Sequence, residues 1–159
     1  MKKTITTALK AGLLIGTLDI IAACLQYFIQ TGKNPVNVLT YVASGVFGKA
    51  AFDGGIAMML AGLAFHFIIS IALAIFFYLI FPAIDAVLKN KVVIGILYAL
   101  FAWVITRLVI VPLSNVPSSP VKLKGAVIAI AILIFTIGLP LAFMAGKYFR
   151  KDTTNSNLY

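Results

Sequence analysis

ALKAGLLIGTLDIIAACLQYFIQ, residues 8–30, is apolar for long enough to cross a bilayer, yet one of its faces is not apolar. Gly12, Gly16, Asp19, Ala23, Gln26 and Gln30 recur at spacings of 4, 3, 4, 3 and 4, which places them on one stripe of a helix. Lipid rewards neither polar atoms nor missing side chains, so such a stripe must face protein, a ligand or water. Asp19 sits near its middle.

Composition extends this reading to the whole chain. Of 159 residues, 62% are hydrophobic and 11% charged, and the mean hydropathy of +1.10 is incompatible with an ordinary soluble surface. The four acidic residues are all Asp, and against 13 Lys and Arg they leave a net charge of +9. These charges flank apolar runs. No basic stripe with an aromatic platform accompanies them, so the expected partner is the lipid bilayer and not nucleic acid.

Apolar segments at about 56–81, 92–113 and 124–147 join residues 8–30 as spans, predicting an all-α polytopic protein with four transmembrane helices. Breakers fill the connections: Thr31 to Pro35, Pro82 to Lys91, and Ser114 to Lys124 with Pro117 and Pro120. Residues 1–150 then form a single transmembrane helical domain, and the polar residues 151–159 a disordered cytoplasmic tail.

Between the first two spans, Asn34 as N-cap and Pro35 at the first helical position open a short helix. Val36, Leu39, Val42, Val46 and Phe47 follow at helical spacing, and Gly45 and Gly48 close it. About 14 residues reach only about 21 Å, so this helix is interfacial or re-entrant. Gly45 to Lys49 lacks both the four-residue gap and the hydroxyl residue of a phosphate-binding loop.

Orientation follows from basic residues at the span ends. Lys2, Lys3, Lys10, Lys89, Lys91, Lys147, Arg150 and Lys151 fall on the side of the termini, against Lys33, Lys49, Lys122 and Lys124 opposite, which predicts both termini in the cytoplasm. Tyr27, Phe28 and Tyr41 on the outer side, with Phe76, Phe77, Tyr78, Phe81, Tyr148 and Phe149 on the inner side, suit interfacial aromatic belts. Ile21-Ala22-Ala23-Cys24 resembles a lipobox, but Asp19 is foreign to a signal sequence and Leu25 to Ile29 continue the apolar helix. Cys24 reads as a small buried thiol.

Three ionisable residues, Asp19, His66 and Arg107, fall inside spans. A central Asp or Arg costs about 2.5–3.5 kcal/mol on insertion scales, so pairing or hydration is the expected remedy. Counted along ideal helices, Asp19 lies about 15 Å and Arg107 about 22 Å from the cytoplasmic ends, with His66 near the level of Asp19. All three can therefore converge in the outer half of a four-helix bundle. They then form an ion pair with a hydrogen-bonded histidine that fixes register, or a polar site on a solute, ion or proton path; in a third arrangement Arg107 snorkels outward past Pro112.

One histidine and one cysteine make no usual zinc set, and a bis-His haem needs a second histidine, so no metal or cofactor is expected. Ser70 and Cys24 have no adjacent base in sequence, and no enzymatic activity is expected. The remaining small residues read as packing seams: Gly55, Met59, Gly62, His66 and Ser70 on the second span, Gly95, Ala99, Ala102 and Thr106 on the third, and Gly125, Ala129, Thr136 and Pro140 on the fourth. Pro140 should kink its helix by freeing the carbonyl of Thr136. Trp103, four residues before Arg107, covers the guanidinium or packs on lipid.

From Gly62 to Arg150 the chain resembles the YagU-like family of bacterial inner-membrane proteins. Phe65-His66-Phe67, Phe81-Pro82 before a basic turn, a Gly95-containing helix ending Ile110-Val111-Pro112, a Pro-bearing loop and the ending Lys147-Tyr148-Phe149-Arg150-Lys151 carry the resemblance. It implies a bacterial inner-membrane location and no particular activity. Two functions remain open on the residues: a small transporter or channel using Asp19, His66 and Arg107, or an accessory subunit packed against another membrane protein. Four short spans enclose little volume, so either role calls for a homo-oligomer or a larger membrane complex.

Overall fold

A computed structural model describes residues 2–116 and 123–156, and among them there are helices and turns but no strand. Helix α1 is Lys2–Thr31, α2 is Asn37–Phe47 followed by a 3-10 stretch Gly48–Phe52, and α3 is Gly55–Leu88. Helix α4, Lys91–Leu113, and helix α5, residues 123–156, are each interrupted by a π-helical segment. Four helices are long and apolar enough to cross a membrane: Lys3–Thr31, Gly55–Leu88, Lys91–Leu113 and Leu123–Arg150. The chain is an all-α protein of polytopic architecture. Pro117, Pro120, Lys122 and residues 157–159 lie outside the described residues.

Several helix ends differ from the sequence expectation. Pro82 lies inside α3, which runs on to Leu88, because Phe81 and Ile84 on either side of it are held against the core. The expected long connection shrinks to Lys89 and Asn90. Lys89 takes the left-handed conformation (φ 52°), and the Asn90 side chain accepts from the amides of Val92 and Val93 at 2.9 and 3.3 Å, capping α4. Lys91 and Asp85 form an ion pair across this turn. Helix α2 starts at Asn37 and not at Pro35, since Asn34 turns the chain first: its side chain takes the amide of Val36 at 3.0 Å and its carbonyl that of Asn37. Helix α5 continues through residues 151–156, where a polar tail was expected, because extending an existing helix costs less than nucleating one.

The start of α1, the α3–α4 turn and the last turns of α5 share one end of the bundle, which we call the terminal end. The hydroxyls of Thr4 and Tyr148 meet there at 3.1 Å. Near it lies the packed core, where Ala8, Ala11 and Ile15 meet Phe77, Tyr78, Phe81, Ile94, Tyr98, Leu141 and Ala145. Phe77, Tyr78 and Phe81 are fully buried in this core and form no interfacial belt, since their rings pack on Tyr98, Tyr148 and Phe149. At the opposite end, α2 lies across α3 at Gly62, where the backbone of Leu39 leaves no room for a side chain. Asn115 ties this end to α2 through the carbonyls of Gly45 and Val46, at 3.0 and 3.1 Å.

Candidate functional site

The stripe on α1 is used in two ways. Its first half packs: a Cβ on Gly12 would lie 2.7 Å from the Ile71 backbone, and one on Gly16 would lie 2.9 Å from the Phe67 ring and 3.0 Å from Ser70. The close approach of α1 and α3 lets the imidazole of His66 reach the carbonyl of Gly16 at 2.8 Å. A carbonyl only accepts, so Nε2 of His66 carries the proton in this bond.

One turn further, Asp19 and Ala23 leave the packed region. The Thr136 hydroxyl donates to Asp19 Oδ1 at 3.0 Å and also lies 3.0 Å from the carbonyl of Ile132 on its own helix. One proton is shared between two acceptors, so the hydroxyl ties α5 to α1 while remaining anchored to α5. His66 is near enough to act on Asp19 electrostatically. Asp19 is therefore met from α3 and α5 together. Thr136→Val removes the donor at nearly constant volume and is expected to destabilise the protein by about 1–3 kcal/mol, whereas Thr136→Ser should retain near wild-type thermal stability in detergent.

Above this cluster the helices separate around a cavity of about 470 Å³. Asp19 from α1, His66 and Ser70 from α3, and Trp103 and Arg107 from α4 line it, with α2 closing its far side through Tyr41, Val42 and Gly45. The three ionisable residues singled out in the spans thus border one space. Asp19 finds its hydrogen bond on Thr136, a residue whose place in a small-residue seam pointed only to packing. Arg107 and Trp103 are half-buried on the same wall, four residues apart.

Both π segments lie at this level, and each is followed two residues later by proline: Ile105–Ile110 before Pro112, and Ile134–Gly138 before Pro140. Proline removes one rung of the hydrogen-bond ladder, and a wider turn lets neighbouring amides reach back five residues, as Val111 does to Thr106 and Leu139 to Ile134. The π turn before Pro140 carries Thr136, and its counterpart in α4 carries Arg107.

The Ser70 hydroxyl donates to the backbone carbonyl of His66 at 2.9 Å and not to its ring, so the two do not form a nucleophile–base pair. Among the described residues, no three of His, Cys, Asp and Glu gather as a metal-ligand set. Cys24 is a half-buried free thiol on α1. The arrangement can offer a half-buried carboxylate, an imidazole ring and a guanidinium around a largely apolar space. The chain matches no family model, no curated protein and no solved structure, so its class rests on fold and site: an all-α protein with, among the described residues, four helices long and apolar enough to cross a membrane and a cavity bordered by ionisable residues.

Proposed function

We propose that this chain is an integral protein of a bacterial inner membrane, with both termini cytoplasmic, that binds a small solute, ion or proton at Asp19, His66 and Arg107 and passes it across. One observation carries this reading: three ionisable residues from three helices border a single cavity in the part of the bundle that would lie in lipid. A purely structural polar contact requires no open space beside it. The proposed orientation draws on the excess of Lys and Arg at the terminal end. The resemblance to YagU-like proteins supports the bacterial location. Because the core near the terminal end is closed, a complete path calls for a homo-oligomer or a moving helix, and the π turns before Pro112 and Pro140 are the natural places for movement.

The test is flux into proteoliposomes loaded with a pH-sensitive dye, under a potassium diffusion potential, for protons and then for small ions added outside. Wild-type protein is expected to conduct one of these, and Asp19→Asn to reduce the rate about tenfold or more, the factor that corresponds to about 1.4 kcal/mol of lost charge-assisted binding. Equal rates for the two proteins would remove Asp19 from the mechanism. An accessory-subunit role is the second reading, favoured by an apolar groove between α1 and α5 lined by Ala22, Leu25, Ile29, Ile128 and Ile132. In that role Asp19→Asn would change assembly and leave flux absent in both proteins.

A further inference from the structure

The groove between α1 and α5 and the polar cavity are neighbouring spaces that share wall residues. Gln26 lines the cavity of about 470 Å³, the groove of about 710 Å³, and a third opening of about 1240 Å³ at the α2 end, so one side chain borders all three. Ile132 also borders both cavity and groove. The groove faces sideways: Leu25 and Ile29, two of its walls, are 56% and 72% exposed on the surface that lipid tails would cover. Displacement of the Gln26 and Ile132 side chains would join this lipid-facing groove to the cavity that Asp19, His66 and Arg107 line.

The lining specifies the chemistry of such a molecule. Ala22, Leu25, Ile29, Ile128 and Ile132 form the apolar part of the groove, which suits a hydrocarbon chain, and Gln26, Gln30 and Lys124 form its polar part. Lys124 stands at the groove and Arg107 borders both the cavity and the third opening, whereas Asp19, the one acidic residue among the described residues bordering these spaces, already accepts a hydrogen bond from Thr136. Arg107 has five N–H donors, so it can hold an intraprotein partner and still bind an anionic oxygen. We infer that the site takes a membrane phospholipid with a net negative headgroup, which enters sideways between α1 and α5 with its chain in the groove and its phosphate between Lys124 and Arg107. This inference rests on the proposed reading of the cavity as a ligand site and names the ligand class for it.

Trp103 is the sole tryptophan and lines the cavity, so its fluorescence reports directly on what enters. The protein is reconstituted in phosphatidylcholine containing either brominated phosphatidylglycerol or brominated phosphatidylcholine at equal low mole fraction. Quenching by the anionic lipid is expected at about 30-fold lower mole fraction than by the zwitterionic one, the preference expected of two engaged cations. Arg107→Gln and Lys124→Gln should each reduce this preference, and Lys33→Gln, which removes an equal charge outside the groove, should preserve it. If Arg107→Gln does not fold, Lys124→Gln carries the comparison. Water-soluble glycerol phosphate competing at millimolar concentration would assign the site to free phosphate esters and overturn the lipid inference. Equal quenching by both brominated lipids would also overturn it. The flux test is independent: Asp19-dependent flux without headgroup preference would retain the polar-site reading and reject only the lipid, while headgroup preference with no flux in any protein would reject transport and retain the bound lipid.

Discussion

Gly138→Ala is expected to cost about 3 kcal/mol and to lower the unfolding temperature in detergent by about 6–12 °C. Gly138 and Gly95 cross where α5 meets α4, and a methyl group on Gly138 would overlap the carbonyl oxygen of Gly95. That atom belongs to a helix backbone and cannot rotate away, so the two helices must separate or the turn must deform. The reciprocal change is milder. A methyl on Gly95 would lie 2.9 Å from the Gly138 carbonyl oxygen, still too close for a backbone contact but a smaller overlap than that at Gly138. Gly125 meets nothing within 4 Å, and Gly125→Ala should leave stability unchanged or slightly raised. The ranking Gly138 above Gly95 above Gly125 is checked by thermal unfolding of the three variants. Equal losses at all three would mean that helix propensity, and not this crossing, sets the effect.

His66→Phe is expected to abolish flux and to cost about 1–3 kcal/mol, although it keeps a ring of similar size. It removes an N–H from the Gly16 carbonyl and an imidazole from beside Asp19 in one step. His66→Gln supplies an amide donor without a titratable ring. If the histidine only fixes helix register, His66→Gln should restore both stability and flux; if it also handles charge, stability returns and flux does not. The second outcome is the one expected from its position beside Asp19 at the cavity wall.

The architecture was legible because a bilayer imposes crude rules. Length and hydropathy place four spans, and the first half of the stripe, Gly12 and Gly16, marks the face of α1 that packs on α3, whereas Gln30 at its far end is exposed at the groove. That Asp19, His66 and Arg107 border one space was also within reach, since depth along ideal helices brings them to similar levels. The partner of Asp19 was not. A lone threonine in a small-residue seam looks the same whether it packs or donates, and the π turn that carries Thr136 breaks the 3.6-residue periodicity on which facing is judged. A retrospective signal exists in Pro140, whose missing N–H falls opposite the Thr136 carbonyl, and in Pro112 shortly after Arg107. Phe77, Tyr78 and Phe81 were misplaced for a different reason. Aromatics near a span end suit either an interface or a core, and only the packing partners Tyr98, Tyr148 and Phe149 decide between them.

The central claim is that the polar cavity is reached from the α2 end and is closed off from the terminal end by the packed core. Cysteine accessibility tests it most directly, using Ala129→Cys on the cavity wall and Ala145→Cys in the closed core, both in a Cys24→Ser background. A membrane-impermeant thiol reagent should modify residue 129 when added from the α2 side, not when added from the terminal side, and should leave residue 145 untouched from both. Modification of residue 129 from neither side, or of both residues at similar rates, would contradict the account.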